Sequence, residues 1–196
     1  MRHRIAKTHA TDLQAVLISQ ARLRRRIGEM AGEIEQDFAG CELVIVSLLN
    51  GTVLFLADLI RNLNLPLRLD FIGVSSYREG TESRELIFTK ELRLDVRGRD
   101  VLLVDDILDT GRTLTAVLAK LEQLKPRAIK TCVLLDKPAR RVEKINADYV
   151  GFEIPDLFVV GYGLDFAERF RNLPFVGVLR PEVYCAGHLD VKKAKG

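Results

Sequence analysis

Val101-Leu102-Leu103-Val104-Asp105-Asp106-Ile107-Leu108-Asp109-Thr110-Gly111-Arg112-Thr113-Leu114 decides how this chain is read. Four consecutive aliphatics, Val101 to Val104, leave no polar face and so describe a strand covered on both sides, as in a parallel sheet. Leu114, Val117, Leu118, Leu121 and Leu124 recur at steps of three and four, which predicts a helix over 113–124. The polar turn between them therefore lies at a strand's carboxyl end, where open α/β sheets bind ligands.

Thr110, Gly111, Arg112 and Thr113 open that helix with backbone N–H groups that have no partner within it. An anion held there gains hydrogen bonds and the favourable end of the helix dipole, and a phosphate monoester fits. Gly111 lets the backbone approach closely or take a positive φ, and two threonine hydroxyls add donors. No lysine follows the glycine, so the nucleoside-triphosphate P-loop is excluded. Asp105 and Asp106 alternate sides, so at most one aims at a given ligand surface while the other bonds to backbone or protein. Carboxylates accept well from the vicinal diol of a ribose, and Asp109 stands to meet the sugar's other side. Two plainer readings compete. An Asp-Asp pair at a strand end also serves as turn and cap chemistry. Asp109-Thr110-Gly111 is also the aspartic-protease triplet, but that reading needs an all-β fold with a second triplet or a homodimer, whereas this chain alternates strands and helices.

Strand-Asp-Asp-x-x-Asp-Thr-Gly-x-Thr resembles the signature of the type I phosphoribosyltransferases, and four further segments resemble the hypoxanthine-guanine branch of that family. Leu48-Leu49-Asn50-Gly51 is similar to its pyrophosphate loop, and Val74-Ser75-Ser76-Tyr77 to the start of its mobile lid. Leu134-Leu135-Asp136-Lys137-Pro138 and the run from Phe158 to Asp165 are similar to its purine-binding segments. The resemblance covers residues 12–179. It implies an α/β fold with a central, mostly parallel sheet flanked by helices and a small hood subdomain, in one domain over 1–196, the hood built from N-terminal residues and about 149–180.

Carried over by position, the resemblance implies that Asp105 and Asp106 form the acidic pair near ribose and metal, while Asp109, Thr110, Gly111, Arg112 and Thr113 hold the 5-phosphate. Asp109 is implied as the catalytic general base. Asn50, Gly51 and Arg171 are implied at the pyrophosphate, and Ser76 and Tyr77 in the lid. Lys137 is implied as donor to the purine's exocyclic oxygen, Phe158 as its stacking partner and Val159 as a source of backbone contacts to its edge. Asp165, beside the purine, is implied with Asp105 and Asp106 as facing Mg²⁺. Two positions depart from the family pattern: position 105 is often Glu, and Asn50 stands where Lys or Arg is frequent. The Leu49–Asn50 peptide is implied to be cis. From pattern alone, Phe158 and Val159 are core residues, Lys137 with Arg140 and Arg141 is a solvated basic loop, Asp165 is a helix cap and Arg171 a surface charge.

Composition bounds the rest. The 196 residues fit one domain, and 47% hydrophobic content supports a sizeable core. A net charge of +3 gives no nucleic-acid footprint. Arg22, Arg24, Arg25 and Arg26 sit beside the stripe Leu23, Ile27, Met30, Ile34 and Phe38, so they read as the solvated face of a helix. Cys41, Cys132 and Cys185 are widely spaced and odd in number, which argues for free thiols in a reducing, cytoplasmic setting. His3, His9 and His188 make no zinc or triad spacing with them. No signal core or membrane span is expected.

Strands are expected over 16–19, 43–48, 67–74, 86–94 and 129–135, with a helix over 52–63 closed by Pro66 and an exposed mobile loop over 78–84. Segments 149–153, 158–162 and 175–179 are expected in the hood. The activity implied is Mg²⁺-dependent transfer of phosphoribosyl from phosphoribosyl pyrophosphate to a 6-oxopurine by a homodimer or homotetramer, without nucleic acid or membrane as partner. The rivals are a nucleotide-sensing regulator on the same fold and a relative selecting xanthine.

Overall fold

A computed structural model describes residues 11–76 and 86–185. In chain order the elements are β1 (Leu13–Ile18), α1 (Gln20–Asp37), β2 (Leu43–Leu49), α2 (Val53–Asn62), β3 (Leu67–Ser76), β4 (Leu86–Lys90) and β5 (Asp100–Leu108). There follow α3 (Arg112–Gln123), β6 (Ala128–Asp136), a short 3₁₀ turn (Pro138–Arg140), β7 (Tyr149–Glu153), β8 (Val159–Val160) and β9 (Val176–Leu179). Two compact units divide them: residues 25–156, and a smaller one from 1–24 with 157–196.

The larger unit is built on a six-stranded sheet in the order β4-β3-β2-β5-β6-β7. All its pairings are parallel except β3 with β4. The aliphatic runs of β2 and β5 are buried on both faces because they occupy the centre of this sheet. Leu114, Val117 and Leu121 of α3 pack with Val44, Val46, Val101 and Leu103 in one core cluster. The arginine-rich segment forms α1, with Leu23, Ile27, Met30, Ile34 and Phe38 buried as the stripe requires. Residues 149–153 correct the expectation. They pair parallel with β6 and extend the large sheet, so the hood assignment fails for them. A strand's own pattern does not say which sheet it joins, and here the free edge of β6 takes it.

The smaller unit holds a three-stranded antiparallel sheet, β1-β9-β8, over a cluster of Leu13, Val160, Phe170, Leu173, Phe175 and Leu179. Among the described residues no helix is long and apolar enough to cross a membrane. Cys41, Cys132 and Cys185 are free thiols. The loop expected over 78–84 lies outside the described residues.

Asp70, which reads as the polar face of an alternating strand, is buried. Its carboxylate accepts from Phe71 N at 2.8 Å, Lys90 Nζ at 3.0 Å, Arg93 N at 2.5 Å and Leu94 N at 2.9 Å. It thereby ties β3 to β4 and to the chain beyond. Burial pushes its pKa up, but these donors outweigh burial and hold the carboxyl down at about 2, from the usual 3.8. A depressed carboxyl stabilises the fold above its unfolded pKa and loses that contribution as pH falls toward the folded value. The shift corresponds to about 2 kcal/mol. Urea unfolding of wild type and Asp70→Asn should therefore differ by that order at pH 6, and the gap should shrink as pH drops from about 4 toward 2. A gap independent of pH across that window would contradict the assignment.

Candidate active site

From β2 the chain runs outward through β3 to β4, then returns to place β5 on the other flank of β2. The carboxyl ends of β2 and β5 thus meet where the strand order reverses, the place at which open sheets form a ligand crevice. Beyond β2, the Leu49–Asn50 peptide is cis, as the resemblance implies, and the Asn50 side chain is exposed. Two buried hydroxyls pin this loop: Thr52 Oγ1 donates to Leu48 O, and Ser47 Oγ donates to Thr52 Oγ1 at 2.8 Å. Gly51 lies directly on the neighbouring strand's acid, since a Cβ added there would stand 1.7 Å from Asp106 Oδ2.

β5 continues past the expected end at Val104, through both acids to Leu108. Asp105 is buried, and one of its oxygens accepts from Asp106 N at 2.9 Å. Asp106 turns instead toward Gly51, so the alternation read from sequence holds for this pair. Burial, and then the charge of Asp106, push the Asp105 carboxyl well above the usual range. Gly111, at φ +88°, caps α3. No other residue type takes that conformation so cheaply, and a Cβ there would also stand 2.8 Å from Ile145 Cγ2.

Asp105, Asp106, Asp109, Thr110, Gly111, Arg112 and Thr113 line one crevice of about 330 Å³ with Gly51, Val74, Leu86 and Arg140. Asp109 Oδ1 is enclosed and meets no donor in good hydrogen-bond geometry among the described residues; Arg140 Nε lies 3.1 Å from it as an ion pair. Lys137 follows β6 and is 5% exposed, so the solvated-loop reading does not hold for it. Burial lowers its pKa, opposed by the charges of Asp109 and Asp156. Ser76 ends β3, and Tyr77 lies outside the described residues.

In the smaller unit Phe158 is 38% exposed although its neighbours read as core. Tyr184 stacks on it at 4.8 Å and 18°, and Phe166 meets it edge-on at 5.6 Å. Val159 is buried in β8, the outer strand of its sheet. Leu179 N donates to Phe158 O at 2.8 Å, so strand alternation directs the N–H and C=O of Val159 to the opposite edge. Asp165 accepts from Glu168 N at 3.0 Å and pairs with Arg171 Nη2 at 2.9 Å. Arg171 also donates to Gly163 O at 2.9 Å and to Glu168 Oε2 at 3.0 Å. These two residues, foreseen at metal and pyrophosphate, are here partners of each other.

Residues 15–167 match the phosphoribosyl transferase domain. The chain belongs to the phosphoribosyltransferase family. This phosphoribosyltransferase is 44% identical to the hypoxanthine-guanine phosphoribosyltransferase of Bacillus subtilis over 174 residues, 88% of this chain and 97% of that protein. The bifunctional protein TilS/HprT of Listeria monocytogenes is 46% identical over 174 residues, and the chain spans 27% of its length. A crystal structure of a hypoxanthine phosphoribosyltransferase from Staphylococcus aureus superposes with a TM-score of 0.88 at 42% identity, covering 92% of this chain and 99% of that one. A hypoxanthine-guanine phosphoribosyltransferase from Bacillus anthracis gives 0.81 at 42% identity, covering 86% and 98%.

Within the phosphoribosyltransferase, no three His, Cys, Asp or Glu side chains form a metal cage among the described residues. In the larger unit the acidic residues at the crevice that stand next to each other are Asp105 and Asp106. Adjacent carboxylates, one of them pushed toward protonation by burial and its neighbour, are an all-oxygen donor set suited to a hard cation that also takes ligands from phosphate and water. Sequence reading missed Ser47, Thr52, Asp70 and Arg141. A glycine after a buried strand hints that hydroxyls nearby will fix the loop, but nothing local marks Asp70 or Arg141.

Proposed function

We propose that the chain transfers a 5-phosphoribosyl group from phosphoribosyl pyrophosphate to N9 of hypoxanthine or guanine and releases pyrophosphate. One observation carries the reading: a glycine loop resting on Asp106, a general-base candidate at Asp109 and a helix start at Gly111 line the same crevice at the strand-order reversal. The first turn of α3, with Thr110 and Thr113, binds the 5-phosphate. Asp106, with Asp105 buried behind it and bonded to its N–H, faces the ribose diol and the positive charge that grows on the ring as the C1–O bond loosens. Backbone N–H groups around Asn50 and Gly51 hold pyrophosphate in place of the missing basic side chain, with Arg171. A bound Mg²⁺, held by Asp105, Asp106 or Asp165 together with donor oxygens, supplies neutralisation of the departing pyrophosphate. Asp109 accepts the N7 proton as N9 becomes nucleophilic.

Phe158, 38% exposed and stacked by Tyr184, is the ring that meets the base, and the outward edge of Val159 offers a donor and an acceptor to its rim. Lys137, beside Asp109 in charge, donates to a keto oxygen. A keto acceptor suits that donor and an exocyclic amine does not, so 6-oxopurines are favoured over adenine. Steady-state assays with the pyrophosphorylated donor, Mg²⁺ and hypoxanthine, guanine, xanthine, adenine or uracil test this. Pyrophosphate release with hypoxanthine or guanine is expected, with adenine at least about 100-fold slower. Equal adenine turnover would refute the role of Lys137, and no release with any base would refute the transferase. The same reading includes a cytoplasmic homodimer or homotetramer.

A further inference from the structure

Arg141 reads in the sequence as one charge of a solvated loop. Its side chain is only 15% exposed, and its guanidinium reaches three separate segments. Nε donates to Asp109 O at 3.2 Å, Nη1 to Ile145 O at 2.9 Å, and Nη2 to Asp136 Oδ1 and to Leu108 O at 3.4 Å. The residues that follow wrap the same turn. Val142 N and Glu143 N both donate to Thr110 O, at 2.9 and 3.1 Å. The space above Gly111 is filled by Ile145, Glu143 and the Cδ of Arg141. Lys137 N donates to Leu108 O at 3.0 Å, so the carbonyl preceding Asp109 is shared between Arg141 and the purine lysine's own backbone.

We propose that Arg141 is a positioning residue that locks the phosphate cradle and Asp109 to the end of β6, fixing the spacing between the general base and Lys137. It bonds to the main chain of Asp109 and to the carboxylate of Asp136, the residue preceding Lys137, and so acts on the reaction through both. Only a planar fork with several donors can serve these acceptors together; lysine, a single ammonium, cannot. The inference rests on the roles given above to Asp109 and Lys137.

Arg141→Met, Arg141→Lys and Asp136→Asn test it, each assayed for kcat and both KM values beside its thermal midpoint. A base displaced by about 1 Å costs about 100-fold in rate. Arg141→Met is expected to lose kcat on that scale at a temperature where it remains folded. Arg141→Lys should recover less than a tenth of the loss, and Arg141→Met combined with Asp136→Asn should be no worse than the arginine variant alone. Added methylguanidinium should restore part of the activity of Arg141→Ala. A folded Arg141→Met within about twofold of wild-type kcat, or full recovery by lysine, would overturn the positioning role. An inactive wild type would instead remove the transferase reading, so the two failures are distinguishable.

Discussion

Asp109→Asn is expected to lower turnover by about 10²–10⁴-fold while the folding transition stays where it is, the range of a general base removed from its place. The substitution is close to isosteric, and Asp109 is the first residue beyond β5, where its main chain is held by Arg141 rather than by its own carboxylate. What changes is the ability of Oδ1 to take a proton. That atom is enclosed, with the Arg140 guanidinium beside it at 3.1 Å. An incoming purine N–H has to displace or share this ion pair, and the Arg140 side chain, 46% exposed, is the partner able to turn into solvent. Single-turnover measurement, which isolates chemistry from product release, is the check. Wild-type single-turnover rates in the asparagine variant would end the assignment.

Gly51→Ala is the second large effect expected. The added methyl would stand 1.7 Å from Asp106 Oδ2 and 2.7 Å from its Cγ. The glycine's loop is pinned by Ser47 and Thr52, so the carboxylate is the part able to swing away. Stability should then change little, because Asp106 is a side chain turning aside and not a core atom. Donor binding should suffer instead: losing a hydrogen bond to a charged group costs about 1.5–3 kcal/mol, or about 10- to 100-fold in donor KM. Asp106→Ala added to Gly51→Ala should bring little further loss. Fully additive losses would show that the glycine acts by another route.

The central parts of this architecture were legible because they are dictated locally. A short aliphatic run bounded by turn signals reads as a doubly covered strand, and a glycine between it and a periodic helix as a tight turn, so β2, β5, α3 and the loops after them follow from residues close in sequence. The end of β5 was misjudged because Asp105 and Asp106 look like turn residues. Parallel pairing with β6, through Asp105 with Val133 and Leu108 with Asp136, carries the strand past them. Residues whose partners are distant in sequence were not legible. Asp70 takes donors 20, 23 and 24 positions later, and Arg141 reaches acceptors at the end of β5, 32 and 33 positions earlier. Pattern was right that Val159 is core and wrong that Phe158 is, because the outer strand of a small sheet has one covered face.

A recognition surface made of peptide groups is indifferent to which side chain the peptide carries. The outward rim of β8 presents the same N–H and C=O whether position 159 holds valine, isoleucine or threonine, and only proline deletes one of them. On the function proposed above, divergence of such a scaffold toward a new heterocycle is channelled away from this strand, into the few positions where a side chain reads the ring.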